Sequence, residues 1–212
     1  MRAQGSVLTE LLMAGAALII GISILSYFMS FSTSYSQQVE LANTLNYEAA
    51  NQVVRLITYD SVNRVVWLLF RRLDSASRNF IVLLRSANTF LPCSNVFIYN
   101  SVGDTDRVVC NEVNIDCVES CRYNPQREQA RNIFISLERG VMSLSDYLKI
   151  PPTTAIELIR IPYTQIATGP QAYSIIVRVN LADLSRDSLI VYLCVDHGDR
   201  FYIVRAYEVS LR

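Results

Sequence analysis

The chain has 212 residues, room for one good-sized domain and an appendage, and its 19 basic residues balance its 19 acidic ones. That balance leaves no bulk field to draw a phosphate backbone or an anionic lipid surface, so a generic nucleic-acid binder is disfavoured and no specific nucleic acid is expected as a partner. Lys149 is the one lysine among those basic residues; the arginine bias fits hot or harsh surroundings, and equally a biased base composition.

The first forty residues are the most informative. From Leu11 to Phe31 there is no charged residue, and a helix of that length rises ~31 Å, close to the ~30 Å hydrocarbon core of a bilayer. A cleavable secretory signal has a shorter apolar core, ~7 to 15 residues, closed by a small-residue site that is not evident here. Arg2 precedes the run and no charge follows it until Glu40, so the positive-inside tendency puts the amino terminus in the cytoplasm and the remainder outside. Beyond the run, Val39, Ala42, Leu45, Ala49, Val53 and Leu56 recur at spacings of three and four, with Gln38, Asn43, Glu48 and Asn51 between them. This pattern predicts that an amphipathic helix continues the apolar one, giving a single element from Ser6 to about Ile57.

A short leader ending in Gly5, then Ser6, then Glu10 in "SVLTE" and some twenty apolar residues resembles the class III signal of type IV pilins over residues 1–57. Ser6 stands where bacterial members usually carry Phe, and Gln4 where archaeal leaders more often carry a basic residue. With the arginine bias and a β-rich remainder, the likeness is greater to archaeal pilins. The resemblance implies a prepilin peptidase that cuts between Gly5 and Ser6 on the cytoplasmic side. It also implies helices that leave the membrane to bundle as a filament core, and Glu10 as the assembly carboxylate. Implied partners are further copies of the chain, the peptidase, an assembly ATPase and a membrane platform protein. A carboxylate inside an apolar helix is costly unless partnered. Cleavage at Gly5 creates an α-amine on Ser6, with a reference pKa near ~8, that can meet Glu10 of a neighbour and fix register. The plainer reading is that Glu10 marks the cytoplasmic edge of a signal-anchor helix.

From about Tyr59 the sequence reads as strands. "NVFIYNS", "VGDT", "DRVVCNEV" predicts one hairpin and "SLIVYLCV", "DHGD", "RFYIVRAYEVSLR" another. "TAIELIRI" and "YSIIVRVNL" alternate well enough to bury one face each, and "SLSDYLKIPP" predicts one helical turn stopped by Pro151. "VVWLLFRRLDSASRNFIVLLR" is apolar on both faces; a helix fits nearly as well, and the expectation is a hairpin turning at "DSAS". The resulting fold class is α+β, a long N-terminal helix carrying a C-terminal immunoglobulin-like β-sandwich, divided as leader 1–5, helix 6–58 and head 59–212.

Five cysteines agree with an outside location, and Cys93, Cys110, Cys117 and Cys121 fall close together. Of their three possible pairings the expected one is Cys93 with Cys110 and Cys117 with Cys121, leaving Cys194 buried in its strand. Zinc thiolate ligation is the alternative, but the spacings fit no pair of C-x2-C knuckles, so no metal and no cofactor is expected. The sole histidine, His197, sits in the turn "DHGD" and is a poor general base there. Asp104 with Asp106, and Asp196 with Asp199, are calcium-type donors, although hairpin turns favour Asp and Gly in any case. No nucleophile motif or phosphate loop is present. The expected function is structural rather than enzymatic: a subunit of a cell-surface, pilus-like filament. The alternatives are a minor pilin or pseudopilin of a secretion or uptake system, and a single-pass surface protein whose β head binds a ligand.

Overall fold

The structure is a computed structural model that describes residues 2–74, 76, 78–99, 126–137, 140–161, 174–181 and 188–211. It falls into two compact units, Met1–Thr44 and Leu45–Arg212. The first is wholly helical where described. Helix α1 runs from Arg2 to Asn51, so its last two turns belong to the second unit. No proline interrupts it, and every backbone amide in its interior can find a carbonyl four residues back.

The helix is shorter than the apolar spacing implied. It ends at Asn51, and Gln52 to Ile57, expected to be helical, open strand β1 (Gln52–Asp60). Tertiary pairing overrides the local pattern: Val53 and Leu56 satisfy a helical spacing, but the β-branched run "VVRLIT" lies antiparallel along β2 (Val65–Arg72). Leu45–Asn51 remain helical and cluster with the second unit.

Two sheets build that head. The smaller has the order β1, β2, β10 (Ser174–Asn180), β5 (Val96–Tyr99). The larger runs β6 (Gln126–Gln129), β9 (Ala155–Ile161), β3 (Phe80–Ser86), β11 (Ser188–His197), β12 (Arg200–Ser210), β7 (Ile133–Leu137), β8 (Gly140–Ser143), with the short β4 (Thr89–Phe90) added to β3. Most neighbours are antiparallel; β7 and β12 are parallel. A shared core lies between the sheets, with Val66, Leu68, Phe70, Ile175 and Val177 from one and Val82, Leu84, Ile159, Val191 and Leu193 from the other. The far face of the larger sheet has a second core, where Leu83, Ile156, Leu158 and Ile203 meet Leu144 and Ala130. Leu144 opens α2 (Leu144–Leu148), whose N-cap Ser143 accepts from the Asp146 amide and whose C-cap Lys149 is left-handed.

The two cores explain why "FIVLLRS" has no polar face: β3 sits between them and is buried on both sides. They also overturn the expected hairpin at "DSAS". Both segments are strands, but β2 pairs in the smaller sheet and β3 in the larger. The reason lies in their patterns. In β2 buried and half-buried residues alternate, which suits a sheet with one core face, whereas β3 needs cover on both.

The C-terminal hairpin is present as β11 and β12, turning through Gly198 at φ 64 and Asp199. The strands expected at "TAIELIRI" and "YSIIVRVNL" are β9 and β10. Of the remaining hairpin, "NVFIYNS" supplies β5, and "DRVVCNEV" lies outside the described residues.

Candidate functional site: the apolar helix and a buried ionic anchor

From Thr9 to Glu40 every residue of α1 is exposed. Leu11, Leu12, Met13, Leu18, Ile19 and Phe28 each leave more than half of their surface uncovered. The segment reaches a mean hydropathy of 2.2 and is long and apolar enough to cross a membrane. Two of its hydroxyls are turned inward to the helix backbone: Ser23 Oγ donates to the Ile19 carbonyl at 2.8 Å, and Thr33 Oγ1 to that of Met29 at 2.9 Å. Such back-bonding lets polar side chains sit in an apolar medium without an unmet donor. A Cβ placed on Gly15 or Gly21 would meet nothing within the chain, so neither glycine is explained by internal packing. Gly5 and Ser6 lie in the opening turns of α1, and Glu10 is exposed where the apolar run begins.

Beyond the apolar run, the last turns of the helix hold a charge cluster that sequence reasoning missed. Glu48 is 2% exposed, as is Arg72 on β2. Arg72 Nη1 donates to Glu48 Oε2 at 2.8 Å, while its Nε and Nη2 grip both oxygens of Asp74 at 2.9 and 2.7 Å. Glu48 also accepts from Arg78 Nη1 at 2.7 Å and Gln52 Nε2 at 2.8 Å. Burial on its own would push the Glu48 carboxyl up; the bonds from Arg72 and Gln52 and the charges of Arg72 and Arg78 together hold it below the ordinary range. Asp74, bonded by Arg72 despite partial burial, is held down at about 2. For Arg72, burial opposes the charge, and its bonds to Asp74 and Glu48 raise the pKa above the usual value.

Backbone groups close the same junction. The Leu73 amide donates to the Asn51 carbonyl at 2.9 Å, Arg205 Nη1 to that of Ala49 at 3.2 Å, and the Tyr207 hydroxyl to that of Gln52 at 3.0 Å. The Ala49 and Asn51 carbonyls at the helix end are thus satisfied by Arg205 of β12 and by Leu73, just past β2. A signal was present in the sequence: Glu48 is three residues from buried Leu45, hence on its face, and "RRLD" interrupts an apolar strand.

Cys93 is disulfide-bonded; Cys110, Cys117 and Cys121 lie outside the described residues. The Cys93 amide donates to Glu157 Oε2 at 3.0 Å, and Glu157 Oε1 holds Arg127 Nη2 at 2.8 Å. Cys194 is a buried free thiol whose pKa burial raises. His197 is exposed, with its ring edge-on to Tyr202 at 6.4 Å. Asp196 faces Arg160 at 3.6 Å, and Asp104 and Asp106 lie outside the described residues. Among the described residues no three His, Cys, Asp or Glu side chains come together to hold a metal ion.

No protein-family model matches this chain, and neither does any curated protein or solved structure.

Proposed function

We propose that the chain is a structural subunit of a type IV pilus-like extracellular filament, polymerised through α1 and displaying the β head at the cell surface. One observation carries the reading: the exposed apolar stretch of α1 lies just beyond Gly5, and the one carboxylate ahead of Glu40 is Glu10, five residues past that glycine. A helix of this kind has two stable surroundings, lipid and other apolar helices, because both remove its side chains from water while its backbone bonds stay internal. A subunit that passes from membrane to filament exchanges one for the other. Removal of residues 1–5 supplies the Ser6 amine, which pairs with Glu10 of a neighbour and sets the stagger between copies. The immunoglobulin-like description of the head belongs to this proposal; two sheets around a shared core support it.

N-terminal sequencing of the surface protein tests the reading. The mature chain should begin at Ser6, and Gly5→Leu should leave uncut precursor in the membrane. Glu10→Ala should be inserted and cut normally yet accumulate as processed monomer, with the ratio of membrane-bound subunit to sheared filament rising at least tenfold. A surface protein that keeps Met1 and sheds no filament would favour the single-pass anchor instead.

A further inference from the structure

At the β6 end of the larger sheet a cavity of about 250 Å³ is lined, among the described residues, by Phe90, Leu91, Pro92, Arg127, Ala155 and Glu157. Phe90 ends β4 and the next two residues follow it, while Arg127 on β6 and Glu157 on β9 are partners in register. Arg127 Nε and Nη2 both reach Glu157 Oε1, at 3.0 and 2.8 Å, and Glu157 Oε2 accepts from the Cys93 amide at 3.0 Å. The Arg127 side chain is 69% exposed. A pair so open to water adds little to stability, and its geometry leaves capacity on both partners. The guanidinium keeps donors beyond those that Glu157 engages, and Oε2 keeps a lone-pair site beyond the one that the Cys93 amide fills.

From this lining we infer that the cavity binds a free apolar α-amino acid, its α-carboxylate on Arg127, its α-ammonium on Glu157 Oε2 and its side chain against Phe90, Leu91 and Pro92. Charge complementarity selects that class. A simple amine drawn to Glu157 is opposed by Arg127, and a simple carboxylate drawn to Arg127 is opposed by Glu157, whereas a zwitterion meets each with the favourable sign. The apolar lining gives the rest of the molecule a surface to cover. The volume is below the ~300 Å³ at which sites for drug-sized ligands begin, which suits a molecule the size of one amino acid. The inference concerns the head alone and is independent of filament assembly.

Equilibrium dialysis of radiolabelled L-leucine against the full chain in a neutral detergent tests the inference. Saturable binding at a single site is expected. Leucinamide, which lacks the carboxylate, and 4-methylpentanoate, which lacks the ammonium, should each compete roughly tenfold more weakly than leucine, because each forfeits a charge-assisted hydrogen bond. Arg127→Gln should lower leucine affinity by about tenfold and erase its advantage over leucinamide, with the melting temperature unchanged because the residue is exposed. Ala155→Leu, at an exposed strand position, fills the cavity and should abolish binding in a chain that melts as the wild type does. Absent saturable binding, competitors as strong as leucine, or binding that survives Ala155→Leu would overturn the inference. So would stronger competition by a peptide with leucine at its free amino terminus, since that ligand has no carboxylate beside its ammonium.

Discussion

Arg72 has a carboxylate on either side and almost no water. Desolvating a guanidinium costs several kcal/mol, which the paired geometry offsets without a large surplus, so the cluster is better seen as a positional lock than as a reserve of stability. Removing one partner is another matter. Arg72→Ala leaves Glu48 ionised and buried with only Arg78 and Gln52, and should cost on the order of 3 to 5 kcal/mol in denaturant midpoint experiments. Arg72→Lys restores a charge but not the bidentate grip on Asp74, and should recover less than half of the loss. The same carboxylates set the acid limit. Asp74 sits near 2 when folded, below its unfolded value of ~3.9, so the unfolded chain takes up the proton first. Its contribution, on the order of 2 kcal/mol, is complete above about pH 5 and is lost as pH falls through ~4 toward 2; the depressed Glu48 acts in the same direction. Acid unfolding followed by circular dichroism should show this loss in the wild type and its absence in Asp74→Asn, whose stability at neutral pH is correspondingly lower.

Helix α1 serves two environments with one unbroken element. From Thr9 to Glu40 its residues are exposed, whereas Leu45, Glu48 and the following Gln52 are buried among the strands. The junction therefore belongs to the head, and a fragment that starts at Leu45 should melt cooperatively. One that starts at Tyr59 loses Leu45 and Val54 from the core, leaves Arg72 without Glu48, and exposes the edge of β2 along most of its length. That shorter fragment should aggregate or unfold below about 40 °C, a difference that calorimetry of the two fragments measures directly.

The head as a whole is a stack in which the larger sheet, covered on both faces, carries the most deeply buried strands. Cys194 is within it and its thiol is pushed far from ionisation, so it should resist alkylation for hours in the native chain and react only on unfolding. Cys93 reports the opposite end of redox behaviour. Peptide mapping without reductant should recover it in a linked peptide, with Cys110 the partner expected from sequence. Closing that loop is worth ~3 kcal/mol in the chain-entropy model, and reduction should lower the melting temperature by several degrees.

Local sequence alone determined the elements whose cause is local. An uninterrupted apolar run makes α1, Gly198 and its flanking strands make the C-terminal hairpin, and Ser143 with Pro151 bounds α2; each depends on residues a few positions apart, so periodicity and turn chemistry reveal them. Only the tertiary structure decided where α1 stops, which sheets β2 and β3 join, and that Glu48 is buried. Those outcomes rest on contacts between residues far apart in the chain, such as Glu48 with Arg72 at 24 positions and with Arg78 at 30. A pattern within either segment carries no record of its partner, because the free energy that selects the arrangement comes from burial and pairing that exist only once the distant strand has arrived.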